Sequence, residues 1–590
     1  MDPPREPTTL SIPLSPVPPN APSIQPVSSG SAATITDVEK VAVNNVYSSA
    51  CEHKPHNPRP TAEELKHLQR RIDLRIIPIC SFLYLLCFIC RQNIGNAKTF
   101  HMLETLPATS HEYQLALTAF FFTYSTFDVP CNILLRKVGP KKWLPLITLL
   151  SGVVTACMGV VHNADSLIGV RAVLGMTECG LFPGVAMIIT MWYVKKEAQF
   201  RQALFFCAAS MAGAFTGLLA VGLKSMDGQG NYEGWRWILI IEGIVTVVAA
   251  CIAFFVVQNP PAIATFLSER DRSIITHRLR NDEFGLKDDG SDDENPDKDI
   301  DEEYIRGKLT EYRNGISHSK SKLLKLIFGK WHIYAHIMVF YGISAPMYSI
   351  SLCLPTILTQ LSPTTTPTRA NLLTIPIYVT ACIFSLTTAF ASDRTGKRAP
   401  FILGAYITMF IGFLLALVRP ARIPALAYVG VFIAACGIYP AFPGMITWYS
   451  NNIGGGEKVR AVSMAFHIGM GSFGGAMGAN FYSSATKGPQ SLYRVGHALN
   501  LAFVTAGLIA VLTLWWRYRA VNKKRDEQRQ ALRARFEEEV AIAKEKWVAN
   551  KGVEEGWKEN ERFMRREFEL KREIELVEHG EGSVWFEYTI

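Results

Sequence analysis

The fold class predicted by this sequence is an all-α membrane protein with twelve transmembrane helices in two pseudo-symmetric six-helix bundles. Three observations predict it. Charge is segregated: of the 590 residues 49 % are hydrophobic and only 19 % are charged, and the charged ones crowd into the two ends and one internal stretch. Between them lie apolar runs of roughly 18 residues or more, long enough to cross a bilayer as helices. The third is a long-period echo. Leu181-Phe182-Pro183-Gly184, Trp192-Tyr193 and Arg201-Gln202-Ala203 return loosely as Ala441-Phe442-Pro443-Gly444, Trp448-Tyr449 and Arg460-Ala461. Such an echo in an apolar chain points to a duplicated membrane unit.

The elements follow in order. Residues 1–60 are rich in Pro, Ser and Thr and carry no early apolar core, so the stretch 1–72 reads as a disordered cytosolic tail and not as a secretory signal. Six spans are expected at 74–96, 114–135, 144–162, 166–193, 201–223 and 236–257, making an N-terminal bundle over 73–257. A hydrophilic cytosolic linker, 258–331, includes the acidic run Asp288 to Glu294 and has room for short amphipathic helices at most. Six more spans, at 332–358, 371–391, 400–418, 424–448, 460–483 and 498–517, make a C-terminal bundle over 332–517. The last stretch, 518–590, mixes both signs at helical spacing from Arg525 to Lys546 and reads as a charged, largely helical cytosolic tail.

Lys and Arg also orient the chain. One set of alternate loops carries Arg136, Lys137, Lys141, Lys142, Lys195, Lys196, Arg394, Lys397, Arg398, Lys458 and Arg460, while the other set is sparser. The richer side is expected to be cytoplasmic, which puts both termini inside. The formal net charge of +9 therefore reads as topology. No basic patch alternates with aromatics on a soluble module, so nucleic acid is not an expected partner. The twelve Cys lie mostly inside apolar runs and behave there as small hydrophobes. Cys87 and Cys90 form a CxxC without further ligands nearby, so no metal is expected. The Gly454-Gly455-Gly456-Glu457-Lys458 loop lacks the Gly-Lys-Ser/Thr ending of a phosphate loop. With no nucleotide motif, no cofactor motif and no nucleophile–base pair at usable spacing, an enzyme is not expected.

The strongest functional signal is charge at membrane depth. Arg91, Asp128, Arg171, Glu178 and Glu242 all fall inside expected spans. Unpaired, they would together cost on the order of 15 kcal/mol, so they must pair or face a wet cavity. Arg91 precedes the polar stretch Gln92-Asn93-Ile94-Gly95-Asn96; a fixed guanidinium in a cavity suits a carboxylate, whose two oxygens match its fork. Arg171 and Glu178 stand two turns apart on one helix face and can share a cavity. Glu178 is the proton-carrier candidate. Asp128 and Glu242 are expected to be structural partners of an interhelical Arg. His467, mid-span in the eleventh helix, either bonds to a neighbouring helix or titrates near neutral pH. Small residues at Gly213–Gly217 and Gly471–Gly478 allow close helix approach, and pairing these two helices across the halves would let them slide.

At Asp393-Arg394-Thr395-Gly396-Lys397-Arg398 the chain resembles the loop signature of the Major Facilitator Superfamily, with a degenerate copy from Arg136 to Trp143. Asn93 to Lys98, Gly234-Trp235-Arg236-Trp237, Met191-Trp192-Tyr193 and Tyr439-Pro440 are similar to the fungal allantoate permease group of its anion:cation symporter branch. The resemblance covers roughly 70–520 and is specific as a set. It implies a secondary transporter moving a small organic anion, such as a vitamin, ureide or amino-acid derivative, by alternating access with proton symport. It also implies Arg91 and Arg171 as substrate-binding residues, Glu178 for proton coupling, and Asp393, Arg394, Gly396, Lys397 and Arg398 as a gating loop; the residues themselves add Asn93 to the expected substrate site and His467 to the expected proton-coupling groups. A monomer in the bilayer is implied, in the plasma membrane or, as the alternative, the vacuolar membrane. The sequence departs from the pattern at Cys90, where the group usually has Asp, and at Ser472, where Asn is usual. The first departure leaves an uncoupled exchanger, or a non-transporting sensor on the same scaffold, as alternative readings. Glu178 has no ionisable counterpart in the second copy, where Ile438 stands, so proton and anion chemistry is expected chiefly in the N-terminal half.

Overall fold

A capping box opens the first long helix ahead of its apolar run. The Glu64 N–H donates to the Thr61 hydroxyl at 3.2 Å, and the Thr61 N–H donates to the Glu64 carboxylate at 2.9 Å. The computed structural model describes residues 61–223, 226–284, 329–359, 366–418, 425–453, 456–482 and 489–551, with a few positions beyond. Each expected span is filled by a helix: α1 Ala62–Thr99, α2 Ser110–Val138, α3 Pro140–Met158, α4 Ala164–Trp192, α5 Lys195–Leu223, α6 Gly234–Val256, α7 Trp331–Thr359, α8 Pro367–Thr395, α9 Ala399–Val418, α10 Ala425–Asn451, α11 Gly456–Asn480 and α12 Pro489–Lys551. Among the described residues nine of these are by length and composition able to cross a membrane; α2, α3 and α11 fill the other three positions.

Helix ends differ from the apolar runs for definable reasons. Residues 62–72, expected as disordered tail, are helical because the Thr61 cap and a first turn with Glu63 and Glu64 favour helix ahead of the apolar run. The remainder of that expected tail, 1–60, lies outside the described residues, as does the acidic run at 288–294. At the other end α12 runs 63 residues without a break, about 95 Å at 1.5 Å per residue. Its charged continuation is helical because nothing in it breaks helix. One expected span is interrupted: the hydrogen-bond ladder of α4 breaks at Cys179 and Gly180, although both keep right-handed helical backbone angles. Pro183 has no N–H to offer the Cys179 carbonyl, and that is enough to break the ladder there. Glu178 is left as the last residue before the break.

Helix contacts show the duplication. Within the first half α1 packs on α5 and α6, α2 on α4, and α3 on α4 and α6; within the second, α7 packs on α11 and α12, α8 on α10, and α9 on α10 and α12. Each pair has its counterpart six helices on. The halves meet through α5 on α8 and α11 on α2, again a matched set. Pairing of the two glycine-rich helices with each other, considered from their spacing alone, is therefore corrected. Each lies against a helix of the opposite half: Gly213 faces the Tyr378 ring and Gly217 the Asn371 carbonyl, while Gly469 and Gly475 of α11 face Asp128 and Phe121 of α2. Both cross-half contacts run the length of the helices. Phe200 meets Asp393 at one end of α5–α8, and Asn480 donates to Thr118 at 2.9 Å at the far end of α2–α11.

Candidate functional site

Residues of α1, α4 and α7 converge between the halves. Arg91 is buried on α1, and its Nε and Nη2 both donate to one oxygen of Glu178, at 3.1 and 3.0 Å. Its Nη1 donates to the Tyr348 hydroxyl of α7 at 2.8 Å, so the ion pair of the first half is tied to the second. Four rings surround the guanidinium, with centroids 4.7 Å (Tyr124), 5.2 Å (Phe120), 5.5 Å (Phe88) and 5.7 Å (Tyr348) from Cζ. Such a box replaces water around the cation. The second Glu178 oxygen lies 3.5 Å from the Ser151 hydroxyl of α3.

Arg171 stands two turns before Glu178 on the same face but does not bond to it. It is 1 % exposed, and its Nε and Nη2 find no hydrogen-bond partner; the Phe120 ring lies 5.9 Å from its Cζ. A buried fork with free donors is what an incoming carboxylate requires. Asn93 sits away from Arg91 round α1 and is engaged otherwise: its amide N–H donates to Glu242 of α6, and its carbonyl accepts from Asn96 at 3.0 Å. Cys90 lies beside the same group, 3.6 Å from the Thr246 hydroxyl.

Two expectations are corrected here. Among the described residues, Glu242 and Asp128 are not partners of an interhelical Arg. Glu242 accepts from Asn93 and keeps one oxygen free, and both Asp128 oxygens are buried without a partner. The arginine close enough to Glu178 is Arg91, and it takes that carboxylate, so neither acid meets an Arg fork. His467 is also apart from the charged group. It bonds the His336 carbonyl at 3.2 Å and stacks on Tyr449 at 3.9 Å; His336 and Tyr348 are about 18 Å apart along α7. The loop motif is a separate feature at the end of α8. Asp393 accepts from the Phe200 N–H of α5 at 2.8 Å and pairs with Arg398. Gly396 takes φ 67°, a left-handed cap suited to glycine. Arg394 and Lys397 point to solvent.

Tyr348 is the member of this buried group that sequence reasoning missed. Nothing local marks it, since its role depends on a partner in the other half. The aromatic box carried a fainter signal, Phe120 and Tyr124 one turn apart on α2.

Duplicated six-helix halves, with a buried ion pair in the first tied to Tyr348 of the second, fit a membrane transporter. The comparisons with known proteins give the family. Residues 80–479 match the family model described as Major Facilitator Superfamily, and the chain belongs to that family; it is a transporter and not an enzyme. It is 31 % identical over 508 residues, 83 % of this chain and 90 % of that protein, to the MFS-type transporter cnsO of Penicillium expansum. It is 26 % identical over 468 residues, 79 % and 80 % of the two chains, to the high-affinity nicotinic acid transporter of Saccharomyces cerevisiae. Among solved structures, the proton:xylose symporter XylE is similar in fold, with a TM-score of 0.57 at 12 % identity, covering 75 % of this chain and 95 % of that one.

Proposed function

We propose that this transporter moves a small organic carboxylate together with a proton, as a member of the allantoate permease-like group of anion:cation symporters. The observation that carries the reading is Arg171: a buried guanidinium with free donors, two turns from a Glu178 already held by Arg91. An anion entering between the halves would satisfy Arg171 and compete with Glu178 for Arg91. Glu178, released from Arg91, would then carry the proton. The similarity to a nicotinic acid transporter supports a monocarboxylate as substrate class. Asn93, bonded to Glu242 and Asn96, would act by shaping α1 and not by direct contact. His467 would serve proton coupling only from its own aromatic pocket. The protein would act as a monomer in the plasma membrane, with the Asp393 face, the linker and both tails cytosolic; the Asp393–Phe200 bond would then be the inner gate, with Arg394 and Lys397 at the membrane surface.

An uptake screen with small carboxylates at two external pH values tests the reading. Arg91→Ala should abolish uptake at normal surface expression. It leaves Glu178 buried without its partner, at a cost of about 3–5 kcal/mol, and removes the tie to Tyr348. Uptake retained at unchanged affinity would remove Arg91 from the site.

A further inference from the structure

We propose that Asp128 is a second proton-binding site, built into the contact between the two halves, which must hold its proton for α2 and α11 to close. Asp128 is 0 % exposed, and neither carboxyl oxygen has a hydrogen-bond partner. The Ser125 hydroxyl, one turn back, is buried and unpartnered too. Across the interface stands Gly469 of α11, and a Cβ there would lie 3.4 Å from Asp128 Oδ2 and 3.3 Å from the Ser125 carbonyl. The absent side chain lets α11 close directly over the acid. Counting from the loop glycines Gly139 and Gly396, the counterpart of Asp128 in the second half is Ser385. Ser385 is neutral and satisfied, donating to the Tyr439 carbonyl at 3.3 Å. The acid is thus an addition to one of two matched contacts.

The titratable groups around it offer no counter-charge. Tyr124 and Cys131 lie on α2 itself, and Cys179 of α4 bonds Cys131 at 3.1 Å. From α11 come Gly469 and Ser472, the latter donating to the Ile468 carbonyl; His467 is turned to Tyr449 and His336. Among the described residues no Lys, Arg or His pairs with Asp128. An ionised carboxylate sealed there without partners would cost several kcal/mol, whereas the neutral acid costs far less. The closed contact therefore selects the protonated form. Parting of α2 from α11 admits water, the O–H bond breaks heterolytically, and the proton passes to that water. Asp128 lies towards the end of α2 that adjoins the Arg136–Lys142 loop, the face proposed to be cytosolic, so release there has the direction of proton entry. This inference shares with the proposed function the rocking of two halves and that orientation; it does not depend on Glu178 or on the substrate.

The test needs no substrate. Amide hydrogen exchange of the full chain in nanodiscs, corrected for intrinsic rates, would follow 125–138 and 456–470 from about pH 6 to about pH 8. In the wild type their exchange should rise with pH, by up to about tenfold per unit for one linked proton. Asp128→Asn should stay protected and flat, and Asp128→Glu should keep a pH response. An Asp128→Asn response like the wild type's would overturn the proposal, as would the same opening produced by sodium at constant pH. Should Asp128→Asn not fold, the infrared carbonyl band of a buried protonated carboxyl reads the same event in the wild type, and its absence at the lower pH overturns it. Glu178→Gln should leave this response intact, which separates failure here from failure of the coupling role given to Glu178.

Discussion

Arg91 and Glu178 show how a membrane site can hold opposite charges and stay responsive. Their pair is buried and doubly bonded, so breaking it without replacement is costly, while exchanging the Glu178 carboxylate for a substrate carboxylate is close to balanced. On the proposed symport the exchange would free Glu178 to take a proton, so uptake should rise as the external pH falls. Glu178→Gln keeps the shape and one acceptor but cannot carry the proton. It should flatten the pH profile of uptake while counterflow exchange survives; an unchanged profile would place the proton path elsewhere. Cys90→Asp is the complementary change. Cys90 adjoins Thr246 and the Asn93–Glu242 bond, so an acid there enters a polar group and not hydrocarbon. A shifted pH dependence at unchanged surface level is expected; loss of expression would give the thiol a structural role instead.

At the scale of the helix, close approach across the halves is the property most exposed to substitution. A Cβ on Gly217 would meet the Asn371 carbonyl at 2.8 Å, whereas one on Gly222 of the same helix would meet nothing within 4 Å. Both Ala substitutions raise helix propensity. Gly217→Ala should nevertheless weaken the α5–α8 contact by about 1–3 kcal/mol and lower uptake severalfold at undiminished surface level, while Gly222→Ala leaves transport unchanged. Equal effects from the two would reduce the contact to ordinary packing. Helix positions were readable in the sequence because a bilayer demands apolar length, and length survives any ignorance of tertiary contacts. The helix ends were not, because the Thr61 cap and the charged run of α12 act outside the bilayer. Nor was the pairing within the site. Arg91, Arg171 and Glu178 stand out as charges at depth, but which arginine takes the carboxylate depends on how α1 and α4 turn toward each other. Tyr348 gave no signal at all.

For the whole molecule, the repeat that sets the architecture does not extend to the C-terminal end, and the two parts of α12 differ in what holds them. Tyr518 is buried against His336, to which it bonds at 3.1 Å, and against Trp448; Asn522 is buried as well. Beyond that point α12 is largely exposed, and some of its ring and ion contacts are with described residues further along the chain. Phe536 stacks on Phe568 at 4.3 Å, Trp547 lies 6.3 Å from Trp557, and Arg565 bonds Glu537 and Glu561. A largely exposed segment adds little to the bundle's stability. Deleting 526–590 should therefore leave surface level and specific uptake within about twofold, the range of surface changes that touch nothing buried. Deleting from Tyr518 onward should abolish both, because it uncovers His336 and Trp448. The comparison is decisive at one point: loss of uptake in the shorter deletion, with the protein still at the surface, would mean that the tail takes part in opening and closing the two halves and is no mere extension of α12.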